Sequence, residues 1–418
     1  MIFKDIAAVG LGEGFLSSEK ISVGVKSGKI DYIGPFKPGY GEEFDGNGFL
    51  LAPAYYSSHS HTAMTLLRGV GGDLPLDRWL HEAIFPLERK LTPDDIYNGV
   101  ALGCAEMLYY GVAGCNDMYF SGLSMAKAYI DAGLKANVSV AVTCSDSEKS
   151  YLGTNEKKEN DALFEYLKNN DDVKADISAH AEYTNTVKVL EGVVEEGFSR
   201  GAGLHIHLSE TKQEHLGCVG RHGVTPAFLF DKLSAFSLRT VAAHCVWCDD
   251  DDFALMGEKG VFMASCPTSN LKLASGIPDY NKAASHGVRV CLGTDGVASN
   301  NNLNMTKEAK LMALLSKVVS LDAASCTAMS SLKAATRLSW LSSGRDSGVI
   351  KEGCPADLAV YKLGTPNVIN SQNPADTLVY SHDGIAYLTM CGGKVLYKNG
   401  EYFTIDIEKV KRQAKIRH

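Results

Sequence analysis

The sequence predicts an α/β fold: a (β/α)₈ TIM barrel with a small β-domain built from both ends of the chain. Eight apolar, β-rich runs alternate with helical stretches over about 295 residues, as expected for such a barrel. Segments of short strands and tight turns lie before and after this region. The eight strand candidates are residues 49–56, 112–117, 138–144, 175–179, 203–207, 240–243, 261–264 and 288–293.

The two ends of the chain have the pattern of antiparallel strands. Residues 21–33 contain two β-rich runs around a turn at Gly28, and residues 386–397 contain two runs around Gly392-Gly393. Glycine between two such runs is typical of a β-hairpin. Residues 357–361 form a further strand candidate. Because pieces of roughly 40 residues rarely fold alone, we expect both ends to pair into one domain.

The first long helix of the barrel region has clear start signals. Thr92 can cap the helix, Pro93 suits the first helical position, and Asp94 and Asp95 match the positive end of the helix dipole. The sequence therefore predicts a helix that begins at residue 93.

A doubly wound open sheet would show the same alternation of strands and helices. No G-x-G-x-x-G motif opens a helix, which weakens the dinucleotide-binding form of that fold. We therefore favour the barrel and place its boundaries at 54–349. Residues 1–53 and 350–418 are the predicted N-terminal and C-terminal parts of the β-domain.

Composition and charge exclude several classes of protein. The chain has 418 residues, 45% hydrophobic and 22% charged, with a formal net charge of −8, which is typical of a globular protein and not of a disordered or coiled-coil one. It has no basic block to bind nucleic acid and no apolar run of about 18 residues to span a membrane. The first residues lack the order of a signal peptide. Eleven cysteines without even spacing suit a reducing compartment, so we expect a cytoplasmic protein.

Histidines and carboxylates follow four of the predicted strands, where a barrel of this kind places its active site. They are His59 and His61 after the first strand, His205, His207 and Glu210 after the fifth, His244 after the sixth and Asp295 after the eighth. Residues two apart in an extended chain point to the same side, so both histidines of the first pair can reach one ion. Imidazoles with a carboxylate suit Zn²⁺ or Fe²⁺. Such an ion lowers the pKa of a bound water towards ~7, which predicts metal-assisted hydrolysis.

Two residues of this group have further predicted positions. Glu210 lies three residues beyond His207 and would sit beside the substrate, where it can carry a proton to a ring nitrogen or leaving group. His205 shares the side of His207 but lies deeper in the barrel. It is therefore interpreted as a hydrogen-bonded core residue and not as a ligand.

The sequence resembles the amidohydrolase superfamily, specifically its branch of chlorohydrolases and 5-methylthioadenosine/S-adenosylhomocysteine deaminases. The matching segments are 59–69 (HSHTAMTLLRG), 116–120 (NDMYF), 205–211 (HIHLSET), 243–246 (AHCV), 269–276 (SNLKLASG), 293–296 (GTDG) and 298–301 (ASNN). They occur in family order over nearly the whole chain. The resemblance implies a barrel plus a composite β-sandwich from both termini, assembled as a dimer or tetramer.

The resemblance also implies the metal site and the catalytic groups. It implies one divalent ion per subunit, Zn²⁺ first, with Fe²⁺ or Mn²⁺ as alternatives. The implied metal ligands are His59, His61, His207 and Asp295. The implied catalytic residues are Glu210, His244 and Asp295. In this scheme Asp295 and His244 take and steer the proton of the attacking water, and Glu210 protonates the neighbouring ring nitrogen.

Three further positions match residues of the nucleoside pocket in the resembling deaminases. Glu88 is implied to bind the ribose and His180 to contact the purine, beside Glu210 and Asp295. Trp79 is implied to line the same pocket, although a packing role explains it equally well. Without the resemblance, Glu88 would be interpreted as part of a solvated charge run, Glu88-Arg89-Lys90.

The chain departs from the pattern of the resembling family at four places. They are Pro53-Ala54 for Pro-Gly, His180-Ala181-Glu182-Tyr183 without the two prolines of the family, Ser265-Cys266-Pro267 without a pocket histidine, and Cys144 where the deaminases have an arginine. That arginine contacts the far end of the substrate. Without it we expect neutral 5′ groups to be preferred over S-adenosylhomocysteine, since Lys157 or Lys158 would replace it only as a point charge.

The leading hypothesis is a metal-dependent deaminase of adenine nucleosides. The alternatives are an aminohydrolase or chlorohydrolase acting on another heteroaromatic ring, such as a guanine-type base, a pterin or a triazine, and a non-catalytic barrel used for binding. A fourth possibility is the H-x-E…P-C-x-x-C class of zinc deaminase, suggested by His180-Ala181-Glu182 and by residues 245–248. It is disfavoured because His244 occupies the place of the required proline.

Overall fold

The computed structural model describes residues 1–369 and 372–414, without the side chain of Asp77. The end of the predicted C-terminal segment, residues 415–418, therefore lies outside the described residues. The strands of the described chain fall into two sheets. In chain order they are β1 (Ile2–Leu11), β2 (Leu16–Lys26), β3 (Lys29–Gly34), β4 (Glu43–Asp45), β5 (Phe49–Pro53), β6 (Tyr55–Ser60), β7 (Val112–Tyr119), β8 (Lys135–Val142), β9 (Val173–Ala175), β10 (Ile177–Ala179), β11 (Leu204–Leu208), β12 (Thr240–His244), β13 (Phe262–Ser265), β14 (Arg289–Leu292), β15 (Leu358–Lys362), β16 (Leu388–Cys391), β17 (Lys394–Lys398) and β18 (Glu401–Tyr402).

Helices connect the strands and cover the outside of the barrel. The α-helices are α1 (Leu76–Arg78), α2 (Phe85–Glu88), α3 (Pro93–Tyr109), α4 (Gly122–Ala132), α5 (Asn155–Leu167), α6 (Val187–Arg200), α7 (Lys212–His222), α8 (Pro226–Lys232), α9 (Asp250–Lys259), α10 (Pro267–Lys272), α11 (Tyr280–Ser285), α12 (Val297–Asn300), α13 (Met305–Ser320), α14 (Ala328–Lys333), α15 (Ser339–Ser342), α16 (Pro374–Asp376) and α17 (Ile407–Gln413). Short 3₁₀ helices are Thr62–Leu67, Tyr151–Gly153, Glu182–Thr184 and Ala235–Ser237, and π-helical turns are Trp79–Ile84, Ala334–Leu338 and Thr377–Ser381. Among the helices described, none has both the length and the apolar character needed to cross a bilayer.

The terminal sheet joins the two ends of the chain, as predicted. Its strand order is β18-β17-β16-β15-β5-β1-β2-β3, with β4 beside β1. The strands β15 and β5 pair antiparallel, with Leu358 opposite Pro53, and this pairing connects the N-terminal half to the C-terminal half. The predicted hairpin around Gly28 is β2–β3, and its turn is left-handed at Ser27 and Gly28. The two halves also share one apolar core that contains Phe3, Leu51 and Leu358 among others.

The second sheet is the predicted barrel. Its eight strands β6, β7, β8, β10, β11, β12, β13 and β14 are parallel neighbours in that order, and β9 lies beside β8. The last strand returns to the first: the Thr294 N–H donates to Ser57 Oγ at 3.0 Å and the Asp295 N–H donates to the His59 carbonyl at 3.0 Å. This return distinguishes the barrel from an open doubly wound sheet.

The predicted strand 49–56 is wrong as a single element, because the chain changes sheets within it. β5 belongs to the terminal sheet and β6 to the barrel, and Ala54 is the link. Ala54 is fixed by its N–H, which donates to the Asp357 carbonyl at 2.9 Å, and by its carbonyl, which accepts from Trp340 Nε1 at 2.9 Å. Both sides of the link are buried, so the apolar run continues through the change.

The predicted strand 175–179 is likewise divided, into β9 and β10. Asp176 lies between them, and its carboxylate accepts from Arg239 Nη2 at 2.7 Å and from the Gly203 N–H at 2.8 Å. Burial opposes the charge of this carboxylate, but Arg239 lowers the pKa of Asp176 below its usual value. The ion pair and the hydrogen bond from Gly203 therefore tie the start of β10 to the starts of β12 and β11, at the end of the barrel remote from the site residues.

The helix predicted from residue 93 is α3, and its start has the expected capping. The Asp95 N–H donates to Thr92 Oγ1 at 3.2 Å, and the Thr92 N–H donates back to Asp95 Oδ2 at 2.9 Å. Pro93 occupies the first turn. This reciprocal cap satisfies backbone donors that the first turn leaves without helical partners.

The domain boundaries 53/54 and 349/350 stay a prediction. Their support is that β5 ends at Pro53, β6 begins at Tyr55, and no barrel strand of the described chain follows β14.

Candidate active site

The four predicted metal ligands converge at the carboxyl ends of the barrel strands. His59 lies in β6, His61 directly follows it, His207 lies in β11 and Asp295 follows β14. His61 Nε2 lies 3.3 Å from His207 Nε2 and 3.3 Å from Asp295 Oδ1. His59 Nε2 lies 3.4 Å from the same carboxylate oxygen. Three ring nitrogens and one oxygen therefore face a common point.

Each of the three histidines is oriented through its other ring nitrogen. His61 Nδ1 donates to the Met118 carbonyl at 2.5 Å, and His207 Nδ1 donates to the His180 carbonyl at 2.6 Å. His59 Nδ1 is paired with His205 Nε2 at 2.8 Å. Because a carbonyl only accepts, the rings of His61 and His207 carry their proton on Nδ1 when neutral and expose an unprotonated Nε2. His205 is a buried hydrogen-bonding partner behind this set, as expected.

This donor set fits a divalent metal ion. Two unprotonated nitrogens that face each other cannot form a hydrogen bond, and His59 Nε2 has no hydrogen-bond partner among the described residues. Burial lowers the pKa of His59 to about 3 and that of His207 well below its usual value, so both rings are neutral. Neutral imidazoles with one carboxylate are the ligands of catalytic zinc sites.

Backbone strain is concentrated at the same strand ends. Ser209, His244 and Asp295 have φ angles of 48°, 70° and 60°, in the left-handed region that residues other than glycine rarely adopt. Such conformations persist where the surrounding structure holds them, often at functional sites. Here they lie at three different turns that leave the barrel towards the cavity.

Glu210 and His244 form a second group beside the metal ligands. His244 Nδ1 donates to Asn270 Oδ1 at 2.8 Å, so its Nε2 is directed to Glu210 Oε2, 3.8 Å away. Ser275 donates to the other oxygen of Glu210 at 3.2 Å. Burial raises the pKa of Glu210. Burial lowers that of His244, but the carboxylates of Glu210 and Asp295 outweigh it and raise the pKa overall. Each shift makes its group bind a proton more readily than an exposed Glu or His, so both groups can take up and release a proton.

The backbone around Glu210 is held by a second carboxylate. Glu214 accepts from the Ser209 N–H and from the Glu210 N–H, each at 2.8 Å. Burial raises the pKa of Glu214 to about 7. Glu214 thus fixes the turn from which the Glu210 side chain enters the cavity.

A cavity of about 690 Å³ lies above these groups, within the usual range for a small-molecule site. All five residues predicted to contact the substrate line it: Trp79, Glu88, His180, Glu210 and Asp295. Trp79 is 5% exposed and its Nε1 donates to the Val70 carbonyl at 3.2 Å. Trp79 is therefore a packed, buried residue that also lines the cavity, so its packing role and its pocket role are compatible.

The arrangement around Glu88 includes a residue that sequence reasoning missed. Tyr119, at the end of β7, donates its hydroxyl to Glu88 Oε1 at 2.5 Å, and Tyr119 also lines the cavity. Burial raises the pKa of Glu88. Tyr119 lies in the matched segment 116–120, so its position was visible in the sequence but its partner was not.

The positive charge at the cavity does not come from the residues expected to supply it. Cys144 is not among the lining residues, although Thr143 and Ser145 on either side of it are. Lys157 is paired with Asp161 at 2.6 Å, and neither it nor Lys158 lines the cavity. Among the described residues of the lining, Arg89 is the one arginine or lysine. The interpretation of residues 88–90 as a solvated charge run does not predict this position of Arg89.

The H-x-E…C-x-x-C alternative finds no support in the structure. Glu182 accepts from Arg221 at 3.1 Å and is paired with His222 at 2.8 Å, and it does not line the cavity. Cys245 and Cys248 are buried free thiols. Ser265, at the place of the missing pocket histidine, is hydrogen-bonded to Tyr280 at 3.1 Å.

Comparisons with known proteins agree with this site. A sequence model of the amidohydrolase family matches residues 50–396. A 5-methylthioadenosine/S-adenosylhomocysteine deaminase of Dictyoglomus thermophilum is 38% identical over 93% of this chain and 89% of its own. A 5′-deoxyadenosine deaminase of Methanospirillum hungatei is 38% identical over 85% of this chain and 80% of its own. The crystal structure of an adenosine deaminase from Xanthomonas campestris with bound zinc has a TM-score of 0.92 at 28% identity, covering 99% and 96% of the two chains.

The family match, the barrel and its cluster of histidines with one carboxylate define a hydrolase whose site suits a metal ion. The chain belongs to the amidohydrolase family.

Proposed function

We propose that the protein is a metal-dependent deaminase of adenine nucleosides that replaces the exocyclic amine by oxygen and releases ammonia. The observation that carries this proposal is one cavity lined by three of the four proposed metal ligands, with His59 directly behind them, by the pair Glu210 and His244, and by the partly buried carboxylate of Glu88. The two curated relatives and the Xanthomonas structure described above are deaminases of adenine nucleosides by name, which supports the same substrate class.

His59, His61, His207 and Asp295 would hold one divalent ion, and zinc is the first choice because the donor set suits it and the similar Xanthomonas structure contains it. When bound, the ion would lower the pKa of a water molecule and so supply a nucleophile at neutral pH.

The residues beside the ion would handle the protons. His244 keeps its Nδ1 on Asn270 and presents Nε2 to the cavity, where it can accept and steer a proton, together with Asp295. Glu210 would protonate the ring nitrogen next to the amine-bearing carbon. That protonation makes the carbon electrophilic enough for attack. The raised pKa of Glu210 favours the protonated carboxyl that this step needs.

Glu88 would bind the ribose, because a carboxylate can accept hydrogen bonds from both hydroxyls of a diol. Tyr119 already occupies one side of Oε1 and so limits how the carboxylate can turn. A free base such as guanine, a pterin or a triazine offers no diol. Glu88 therefore favours the nucleoside over these alternatives, and a non-catalytic binding role would leave the complete set of metal and proton groups without use.

Neutral 5′ groups would be preferred: adenosine, 5′-deoxyadenosine or 5′-methylthioadenosine over S-adenosylhomocysteine. The wall near Cys144 presents Thr143 and Ser145, which carry no charge. Arg89 is exposed and has no ion-pair partner in the described structure, so no neighbouring group holds it in position for bidentate binding of a carboxylate.

A panel of deamination assays tests these proposals. Values of kcat/KM for the four nucleosides and for free adenine and guanine should show activity on ribosides only, and activity confined to free bases would overturn the nucleoside proposal. Cys144→Arg, with Ser145→Arg as the version placed directly on the cavity wall, should raise kcat/KM for S-adenosylhomocysteine by about tenfold, since a charge-assisted hydrogen bond is worth roughly 1.5–3 kcal/mol. If S-adenosylhomocysteine is the best substrate of the unmodified protein, the 5′ preference is wrong, and Arg89→Gln would then show whether Arg89 is responsible.

A cytoplasmic location and a dimeric or tetrameric assembly remain predictions, and sedimentation of the purified protein would test the second.

A further inference from the structure

Glu308 is a buried carboxylate that does not line the cavity. It lies in the first turn of α13 and is 0% exposed. Its Oε1 accepts from the Thr268 hydroxyl at 2.6 Å and from Asn300 Nδ2 at 2.8 Å, and its Oε2 accepts from the Thr268 N–H at 2.9 Å. One side chain therefore ties α10 to α12, the two short helices that follow the last two barrel strands.

Both of these helices reach Asp295. Ser269, next to Thr268, donates to Asp295 Oδ2 at 2.5 Å, and Ser299, next to Asn300, donates to the same oxygen at 3.0 Å. Two hydroxyls on Oδ2 restrict rotation of the carboxylate. The other oxygen, Oδ1, accepts from the Gly296 N–H at 2.7 Å and faces the predicted metal position.

The helix α10 also orients the second proton-handling group. Asn270 directly follows Ser269, and its Oδ1 accepts from His244 Nδ1 at 2.8 Å. The three consecutive residues 268–270 thus connect Glu308 to both Asp295 and His244. A helix of six residues is too short to be stable by its own hydrogen bonds, so its placement depends on such anchors.

We propose that Glu308 is a positioning residue for the metal site, acting on Asp295 through Ser269 and Ser299. Its contacts are with the residues next to these serines, so its effect is on the orientation of a ligand and not on the substrate. Removing a partner behind a metal ligand typically changes metal affinity or activity by about 10–100-fold. The inference rests on the metal site of the proposed function.

Glu308→Gln tests the proposal. It keeps the size of the side chain, but it replaces one carboxylate oxygen, which accepts a hydrogen bond, by an NH₂ group, which cannot accept one. We expect the Kd for Zn²⁺, measured on the folded protein by competition with a chromophoric chelator, to rise about 10–100-fold. KM for the nucleoside should change little.

Asp252→Asn is the matched control. Asp252 is also buried and also accepts from a threonine hydroxyl, that of Thr225, and from a backbone N–H, that of Asp249 at 3.1 Å. Its partners in the described structure do not include Asp295 or the serines that hold it. Asp252 belongs to a separate group of possible ligands with His215 and Asp249, so the Kd compared is that of the site containing Asp295. The Asp252→Asn variant should lose thermal stability but retain the Zn²⁺ affinity of that site.

A double-mutant cycle tests the route. If Glu308 acts through Ser299, the effects of Glu308→Gln and Ser299→Ala on the Kd for Zn²⁺ should be clearly non-additive, whereas strict additivity would refute that route. Thr268→Val, which removes one donor to Glu308, should weaken zinc binding in the same direction and replaces Glu308→Gln if that variant does not fold. Unchanged affinity in these variants would overturn the inference alone, while an unmodified protein that binds no metal would overturn the proposed function.

Discussion

The two sides of the cavity are built from different kinds of structure. The metal-ligand side consists of barrel-strand ends, and each proposed histidine ligand there has its Nδ1 in a hydrogen bond. The opposite side is the segment 62–91, with the short helices α1 and α2 and a π-helical turn, where Glu88 is partly buried and Arg89 is exposed. The comparison teaches that the proposed metal ligands and proton-handling groups all lie at the ends of barrel strands, whereas two of the proposed substrate contacts, Trp79 and Glu88, lie on a connecting segment, the kind of structure that varies most between related proteins.

The largest effect is expected from removal of the metal ion, which should stop catalysis but leave nucleoside binding intact. Removing the metal with a strong chelator should abolish turnover, and added Zn²⁺ should restore it, because the nucleophile depends on the ion. Nucleoside binding to the metal-free protein, measured by calorimetry, should persist because Glu88 and Trp79 lie on the other side. Purified protein with less than ~0.3 metal per chain that zinc does not reactivate would contradict a catalytic metal site.

An intermediate effect is expected within the chemical side. Glu210→Gln keeps the size of the side chain but cannot cycle a proton, so kcat should fall by ~10²-fold or more while metal content stays unchanged. Steady-state rates and elemental analysis on the same sample measure both. Ser275→Ala, which removes only the hydroxyl that donates to Glu210, should cause a smaller loss. Loss of metal in Glu210→Gln would show that Glu210 is a ligand.

The smallest effect is expected on nucleoside binding at the side of the cavity that holds Glu88. Tyr119→Phe removes the hydroxyl that holds Glu88, so KM for adenosine should rise by about fivefold, in the range of one lost hydrogen bond. If kcat is unchanged and the KM for 2′,3′-dideoxyadenosine is also unchanged, the rise in KM for adenosine is due to its ribose hydroxyls. An equal change for adenosine and the dideoxynucleoside would show that Tyr119 serves the fold and not ribose recognition.

The barrel and its metal-type site could be predicted because their signals are local. At four of the predicted strands a histidine or carboxylate lies within a few positions of an apolar run, and the orientation of His59 and His61 to one side follows from the extended backbone. The division of residues 49–56 into two strands could not be predicted, since this run is apolar throughout and the strands on both sides of Ala54 are buried.

Long-range partners were equally hidden. Glu308 meets Thr268 across 40 positions of sequence, and the Tyr119 hydroxyl meets Glu88 across 31. Nothing in composition or spacing pairs these residues, because the contacts arise only when neighbouring loops are brought to one end of the barrel. The position of Arg89 could not be predicted for a different reason. A run of charged residues is usually solvated, and Arg89 lines the cavity only because segment 62–91 folds against it.

The pairing of β5 with β15 has a consequence for synthesis on the ribosome. All eight barrel strands emerge before Leu358, so the barrel can form while β5 still presents an open strand edge. Such an edge readily pairs with other chains, and contacts between distant parts of a sequence form slowly. The order of the strands therefore predicts an interval during synthesis in which the barrel strands are complete and the edge of β5 is still open to pairing with other chains, until β15 is made and covers it.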